Sequence, residues 1–245
     1  MEKNQYIGIT EAGDPSFRLD IFDNLYDGNI IITKRLTDKL IEKLIEHKDK
    51  CILHFTVTGM GGTKIEPFVP TLETSISKCN KLIENGFPVE QIVLRIDPVV
   101  PTQKGLETSL NVIDTFKYTG IKRLRISFLD MYKHVKERFI ESNINLPYET
   151  FHANLKTRKE VYNALYLKAN DCGFTIIQTC GEPDFESTPC ISQMDVDILG
   201  LTEKIKLIDE KGQRKNCHCP SNKKELIVGE KPHRCENNCL YCFWK

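Results

Sequence analysis

Two hydrophobic rhythms take turns along the first 180 residues. Short runs rich in β-branched and aromatic residues, YIGIT, NIIIT, CILHFTVTG, QIVLRID, KRLRISFLD and FTIIQTC, read as strands. Between them TDKLIEKLIEHK, LETSISKCNKLIENG, GLETSLNVIDTFKYTG and TRKEVYNALYLKANDCG space apolar residues three and four apart and read as amphipathic helices. The last three end at Gly86, Gly120 and Gly173, as a helix C-terminus favours. A repeated strand–helix unit predicts a parallel sheet covered by helices, either open or curled toward a barrel.

A strand buried on both faces reads as continuously apolar, and these do not. His54, Thr56 and Thr58 alternate with Leu53, Phe55 and Val57; Arg95 and Asp97 alternate with Leu94 and Ile96; Arg123, Arg125 and Ser127 alternate with Leu124, Ile126 and Phe128. One sheet face is therefore polar. If helices cover the apolar face, the polar one lines a cavity, as in a partly open barrel that holds a charged ligand; the alternative is strand-edge charge facing solvent. The arginines point to an anionic substrate, and His54, Arg95, Asp97, Arg125 and Gln178 are the candidate catalytic residues around it. From about residue 181 the rhythm stops, and GEPDFESTPCISQ through KGQRKNCHCPSNKKE reads as loops with one short helix near DVDILG. The expected division is a partial βα barrel over 1–180 and a cysteine-rich metal-binding tail over 181–245.

At 245 residues and 28.2 kDa the chain suits one large domain, or one domain with an appendage. Its 34 basic and 34 acidic residues cancel, so no global field favours nonspecific binding to nucleic acid. No apolar run reaches membrane-spanning length and MEKNQYIGITEAG lacks the apolar stretch of a signal peptide, which makes the cytoplasm the expected location. Ten cysteines in a reducing compartment read as ligands or buried thiols. Cys51, Cys79 and Cys172 are scattered and read as structural, whereas Cys217, Cys219, Cys235, Cys239 and Cys242 crowd the last stretch.

CENNCLYCFWK closes the chain with Cys235, Cys239 and Cys242 spaced C-x3-C-x2-C, one thiolate short of a closed tetrahedral site. One reading is a zinc knuckle completed by the C-x-C of Cys217 and Cys219, with His218 or His233 nearby. Against it, five clustered cysteines exceed one zinc site, the triplet spacing is unusual for zinc, and Tyr241, Phe243 and Trp244 give the apolar shielding that suits a redox cluster.

CENNCLYC resembles the cluster motif of the radical S-adenosylmethionine (radical SAM) superfamily, including the aromatic residue before its third cysteine, here Tyr241. The resemblance implies that Cys235, Cys239 and Cys242 hold a [4Fe-4S] cluster whose fourth iron chelates S-adenosylmethionine. It further implies that the cluster, reduced by a donor such as flavodoxin or ferredoxin, splits this cofactor to a 5′-deoxyadenosyl radical that abstracts hydrogen from substrate. In most members the motif follows the first barrel strand, so this sequence looks circularly permuted. IITKRL, LHFTVTG with KIEPFVP, and GFPVEQIVLRIDPVVP resemble successive later strands of the spore photoproduct lyase barrel, and ELIVG would be the displaced first strand. The implied fold is α/β, a circularly permuted partial (β/α)6 TIM-like barrel with a Cys-rich C-terminal tail.

Carried over residue by residue, the resemblance makes Lys34, Thr56, Asp14 and Tyr241 candidate cofactor contacts. The chain departs from the superfamily in lacking the usual Gly-Gly-Glu near Asp14, and from the lyase in that GITEAGDPS has no hydrogen-donating cysteine, which argues against photoproduct repair. QTCGE, PCISQ and KGQRKNCHC, together with the ending, are similar to a bacterial family of unknown function. Their Cys180, Cys190, Cys217 and Cys219 imply a second metal site, a [4Fe-4S] cluster or zinc. The function expected is radical chemistry on an anionic substrate such as a nucleotide or nucleic-acid base. The alternatives are a noncatalytic zinc-binding module for a protein or nucleic-acid partner, and a radical SAM enzyme acting on a peptide or small metabolite. Because little chain follows Cys242, the N-terminal segment through EAGDPSF, a protein partner near the C-terminus or the substrate is expected to cover the cluster.

Overall fold

The computed structural model describes residues 5–182, 184–208, 217–228 and 234–244; His233, one candidate zinc ligand, lies outside the described residues. The elements are β1 (Ile7–Ile9), β2 (Gly28–Thr33), α1 (Asp38–Glu46), β3 (Cys51–Thr56), α2 (Leu72–Glu84), β4 (Ile92–Val99), α3 (Gln103–Phe116), β5 (Arg123–Phe128), α4 (Lys133–Glu141), α5 (Leu155–Asp171), β6 (Ile176–Thr179), α6 (Gln193–Ile198) and β7 (Lys223–Glu225). Threonine starts three of the helices: the hydroxyls of Thr37, Thr71 and Thr102 accept from the amides of Leu40, Thr74 and Gly105. Gly86, Gly120 and Gly173, at φ of 88°, 83° and 86°, turn the chain out of α2, α3 and α5.

All the strands run parallel, in the order β6-β5-β4-β3-β2-β1-β7. This is a partial TIM-like barrel, with seven strands among the described residues, β6 at one edge and β7 at the other. The last strand of the chain pairs with the first, Ile7 opposite Lys223 and Ile9 opposite Glu225, which is the neighbour relation a permuted barrel requires. It lies slightly N-terminal of ELIVG, which instead continues it through the Leu226 amide bonded to Ile9 O at 2.8 Å.

Strand alternation divides the core into two layers. On the outer face Ile31, Leu53, Phe55, Leu94 and Ile126 pack against Leu40, Leu82, Phe116 and Leu165 of the helices. The inner face is itself divided. Toward the strand N-termini Ile7, Ile9, Ile30, Ile52 and Val93 are covered by Ile191, Val196, Leu201 and Ile205 of the tail. Each such aliphatic, when fully buried, contributes roughly 1.5–3 kcal/mol relative to exposure, so the tail plugs the sheet as well as carrying cysteines. Toward the strand C-termini, and at Arg123, the first residue of β5, the inner face is polar. Helix α4 was not evident in the sequence because KHVKERFIE buries only Val135 and Phe139 among charged residues. No helix among the described residues is long and apolar enough to cross a membrane.

Candidate functional site

Parallel strands deliver their following loops to one end, and a cavity of about 290 Å³ lies there. Thr10 and Glu11 after β1, Thr33 and Lys34 at the end of β2, Thr56 on β3, Asp97 on β4, Ser127 on β5 and Cys180 after β6 line it. Cys235, Cys239, Tyr241, Cys242, Phe243 and Trp244 form the facing wall. Cys190 and Cys217 also reach it, so both cysteine sets open onto one space.

The terminal loop is tied down by its backbone, which leaves its thiols on the wall. Asn238, at φ of 52°, donates its amide to Cys235 O at 3.0 Å, and the Cys242 amide donates to Cys239 O at 3.2 Å, so each spacer closes one turn. From α4, Arg138 donates to Cys242 O at 2.7 Å and Trp244 O at 2.6 Å. The N-terminal segment packs beside it: Trp244 Nε1 donates to Glu11 O at 3.2 Å, and Asn237 Nδ2 to Asp14 Oδ2 at 2.8 Å. Burial pushes the Cys235 thiol up to about 11 and the Cys239 thiol up to about 12, so holding thiolates there requires a cation.

Asp14 is a clamp. Its carboxylate accepts from Ser16 N at 3.0 Å, Thr33 Oγ1 at 2.7 Å, Lys34 N at 2.9 Å and Asn237 Nδ2, which together use the roughly four lone-pair sites a carboxylate offers. In this arrangement it joins β2 to the cysteine loop and has no acceptor left for a cofactor amino group. Lys34 is similarly engaged, its ammonium bonded to Glu66 Oε1 and Asp97 O, each at 3.1 Å, and lying 5.2 Å from the Tyr241 ring centre. Burial alone would lower its pKa, but Glu66, the Cys239 thiol and Asp97 outweigh it and raise it. Glu66, fully buried, also accepts from Thr58 Oγ1 at 2.6 Å and from the Tyr241 hydroxyl. Glu66 and Asn237 were missed as site residues. Glu66 sits in an irregular loop without periodicity, but Asn237 lies within the cysteine motif itself, where a small polar spacer was a usable signal.

Cys180, Cys190, Cys217 and Cys219 converge although 39 positions separate the first from the last. Cys180 Sγ and Cys190 Sγ are 3.3 Å apart, and the Cys190 amide donates to Cys219 Sγ at 3.2 Å. The Glu11 carboxylate, Cys190 and Cys219 place a ligand atom each within 4.8 Å of one another. Hydrogen bonds from the Cys180 and Cys219 thiols, then the charges of Arg95 and Arg125, hold the Cys190 thiol well below its ordinary range. The Cys219 thiol brings Cys217 down to about 6. Glu11, Cys190 and Cys219, with the Cys180 thiol beside Cys190, are donors that suit a zinc ion or an iron–sulfur cluster. Cys51 and Cys79 lie apart, in the outer apolar layer.

The candidate catalytic residues do not all face the cavity. Arg95 and Asp97 do, joined at 2.5 Å. His54 and Arg125 are both fully buried and do not line it. Gln178 accepts from Arg125 Nη2 at 2.9 Å and borders a separate depression beside Tyr162 and Tyr166. Thr56 and Tyr241 are on the cavity wall.

A family model described as a domain of unknown function, DUF1848, matches residues 24–244. The chain belongs to this family. No curated protein matches it. Among solved structures, a point mutant of spore photoproduct lyase is similar at 13% identity and a TM-score of 0.48, the match covering 64% of this chain and 52% of the lyase chain. The DUF1848 match takes in all seven candidate ligand cysteines.

Proposed function

We propose that this DUF1848 protein is a radical SAM enzyme whose cluster is held by Cys235, Cys239 and Cys242. The observation that carries the reading is the placement of these three thiols, in C-x3-C-x2-C spacing, on the wall of a cavity at the C-terminal end of a parallel sheet. The donor set fits: Cys235, Cys239 and Cys242 would hold three irons of a cluster and leave one without a protein ligand. When bound, the cluster supplies the electron that splits S-adenosylmethionine into a radical source.

The chain's own residues hold and shield. Asp14 and Asn237 fix the cysteine loop against β2, Arg138 fixes its end, and Tyr241, Phe243 and Trp244 keep water from the wall. Glu66 sets the position of Lys34 and Tyr241, which with Thr56 are the contacts proposed for the cofactor. Arg95, with its charge balanced by Asp97, is left as the substrate-facing cation. A nucleotide or an extruded base is the proposed anionic substrate, with a peptide side chain or small metabolite as the other class. Flavodoxin or ferredoxin is the proposed reductant.

The tight spacing of the other four cysteines favours a second reading for that part alone, a zinc centre that stabilises the tail. In a wholly noncatalytic zinc module this would be the main site. Anaerobic reconstitution with iron and sulfide, followed by assay for 5′-deoxyadenosine, separates the two. A brown protein that forms it supports the enzyme; a colourless protein holding only zinc supports the module.

A further inference from the structure

The polar inner face forms a layer in which Thr56 and Arg95 reach the cavity wall, while Arg125, His54 and Arg123 are buried and not used by the proposed chemistry. Register places Thr56, Arg95, Arg125 and Gln178 in one row across β3 to β6, with His54 and Arg123 further toward the strand N-termini. Two of its arginines are neutralised: Arg95 by Asp97 and Arg123 by Asp195 of α6, each at 2.5 Å. Among the described residues Arg125 is not: its partner there is the neutral amide of Gln178, and its Nε and Nη1 have none. His54 beside it has no partner among the described residues on either ring nitrogen and is kept neutral by burial and by the charges of Arg125 and Arg95.

A fully buried guanidinium facing only a neutral amide is among the costliest arrangements a protein interior can hold, and it is tolerated where an anion lies near. The layer abuts the four-cysteine group: the Cys180 amide donates to the carbonyl of Ile126, the neighbour of Arg125, at 3.1 Å, and Cys180 Sγ lies 3.3 Å from Cys190 Sγ. A divalent ion bound by four thiolates keeps two negative charges, and a thiolate-bound iron–sulfur cluster is likewise anionic.

We propose that Arg125 is the counter-charge of a metal centre held by Cys180, Cys190, Cys217 and Cys219, and so a positioning residue for that centre rather than a substrate ligand. The inference rests on reading those cysteines as one metal centre. It explains why Arg125, buried and unneutralised, is placed under the cysteine group and away from the cavity wall. It also assigns the layer an order: Asp97 and Asp195 satisfy its flanking arginines, and the metal centre satisfies the middle one.

The test uses the full chain with Cys235, Cys239 and Cys242 changed to serine, so that bound metal belongs to the second site. Zinc and iron per chain are measured after anaerobic purification and after dialysis against graded EDTA. Arg125→Lys should retain metal as the parent does, whereas Arg125→Met should release it at about tenfold lower chelator or less. A second pair is made with Cys180, Cys190, Cys217 and Cys219 also changed to serine. There the arginine has lost its anion, so Arg125→Met should raise Tm, although it lowers Tm when the cysteines are present. Should Arg125→Met not fold with the cysteines present, the cysteine-free pair decides. Metal retention indifferent to Arg125→Met, or a Tm change of the same sign in both backgrounds, overturns the role of Arg125 alone. A parent that binds no metal overturns the metal centre and the inference with it.

Discussion

The two cysteine groups share one cavity and differ in what their surroundings constrain. Around Cys235, Cys239 and Cys242 the supports hold the backbone: Arg138 on carbonyl oxygens, Asp14 through Asn237, and Trp244 on Glu11. Their thiols are left facing space. Around Cys180, Cys190, Cys217 and Cys219 the sulfurs face one another, with Ile191, Val196 and Leu201 packed beside them and an arginine layer beneath. A loop fixed by its carbonyls with thiols toward a cavity is arranged to present a group to a ligand. Thiols turned inward beside apolar packing are arranged to close a site and stabilise what surrounds it.

Removing each set of thiols should separate the two roles most sharply. Changing Cys235, Cys239 and Cys242 to alanine should abolish formation of 5′-deoxyadenosine and lower iron content, with Tm shifted by only a few degrees, because no packed core depends on them. The Cys190→Ala and Cys217→Ala pair should instead lose the second metal and destabilise the chain by several kcal/mol, because ligand loss empties a site coupled to folding. The comparison breaks if the terminal variant unfolds while the internal one keeps its metal.

The clamp ranks next. Asp14→Ala leaves an asparagine amide, a threonine hydroxyl and two backbone amides without their acceptor, for an expected loss of about 2–4 kcal/mol in urea unfolding, together with weaker retention of the terminal cluster. Arg138→Ala releases only the end of the loop and should cost about 1–2 kcal/mol. Its clearer effect should be faster bleaching of the reconstituted protein's visible absorbance in air. Unchanged bleaching would mean that Arg138 does not protect the cluster side.

The smallest effect concerns His54 and is seen as pH dependence. Burial and Arg125 hold its folded pKa well below the ordinary 6.5, with Arg95 and Arg123 adding to this and Cys190 opposing it. The unfolded chain therefore takes up a proton that the folded one refuses, and the stability this group contributes is full above pH 6.5 and declines as pH falls below it. His54→Leu should flatten that decline between pH 6.5 and 5. An identical pH profile in the variant would show that His54 takes up its proton equally in the folded and unfolded chain, against this account.

What could be read from the sequence was what repeats or clusters locally. Alternation in LHFTVTG, VLRID and RLRISF gave the two-faced sheet, terminal glycines gave three helix ends, and motif context grouped Cys180, Cys190, Cys217 and Cys219. Position along a face was harder. His54 and Arg125 share the polar face with Arg95, yet both are fully buried and neither lines the cavity, which alternation alone does not reveal. The neutralisation of Arg123 by Asp195, 72 positions away, is equally invisible to local pattern. Asp14 was located but given a ligand's role, because a carboxylate in a loop looks the same in sequence whether its lone pairs are free or already used.

The central claim is that the terminal thiols hold a cluster able to act on S-adenosylmethionine. It is tested most directly by reconstituting the full chain anaerobically, reducing it with dithionite and measuring 5′-deoxyadenosine formed from added S-adenosylmethionine, beside the variant lacking Cys235, Cys239 and Cys242. The account predicts product from the parent and none from the variant. Equal amounts from both, or none from a parent shown to hold iron and sulfide at the terminal site, would contradict it.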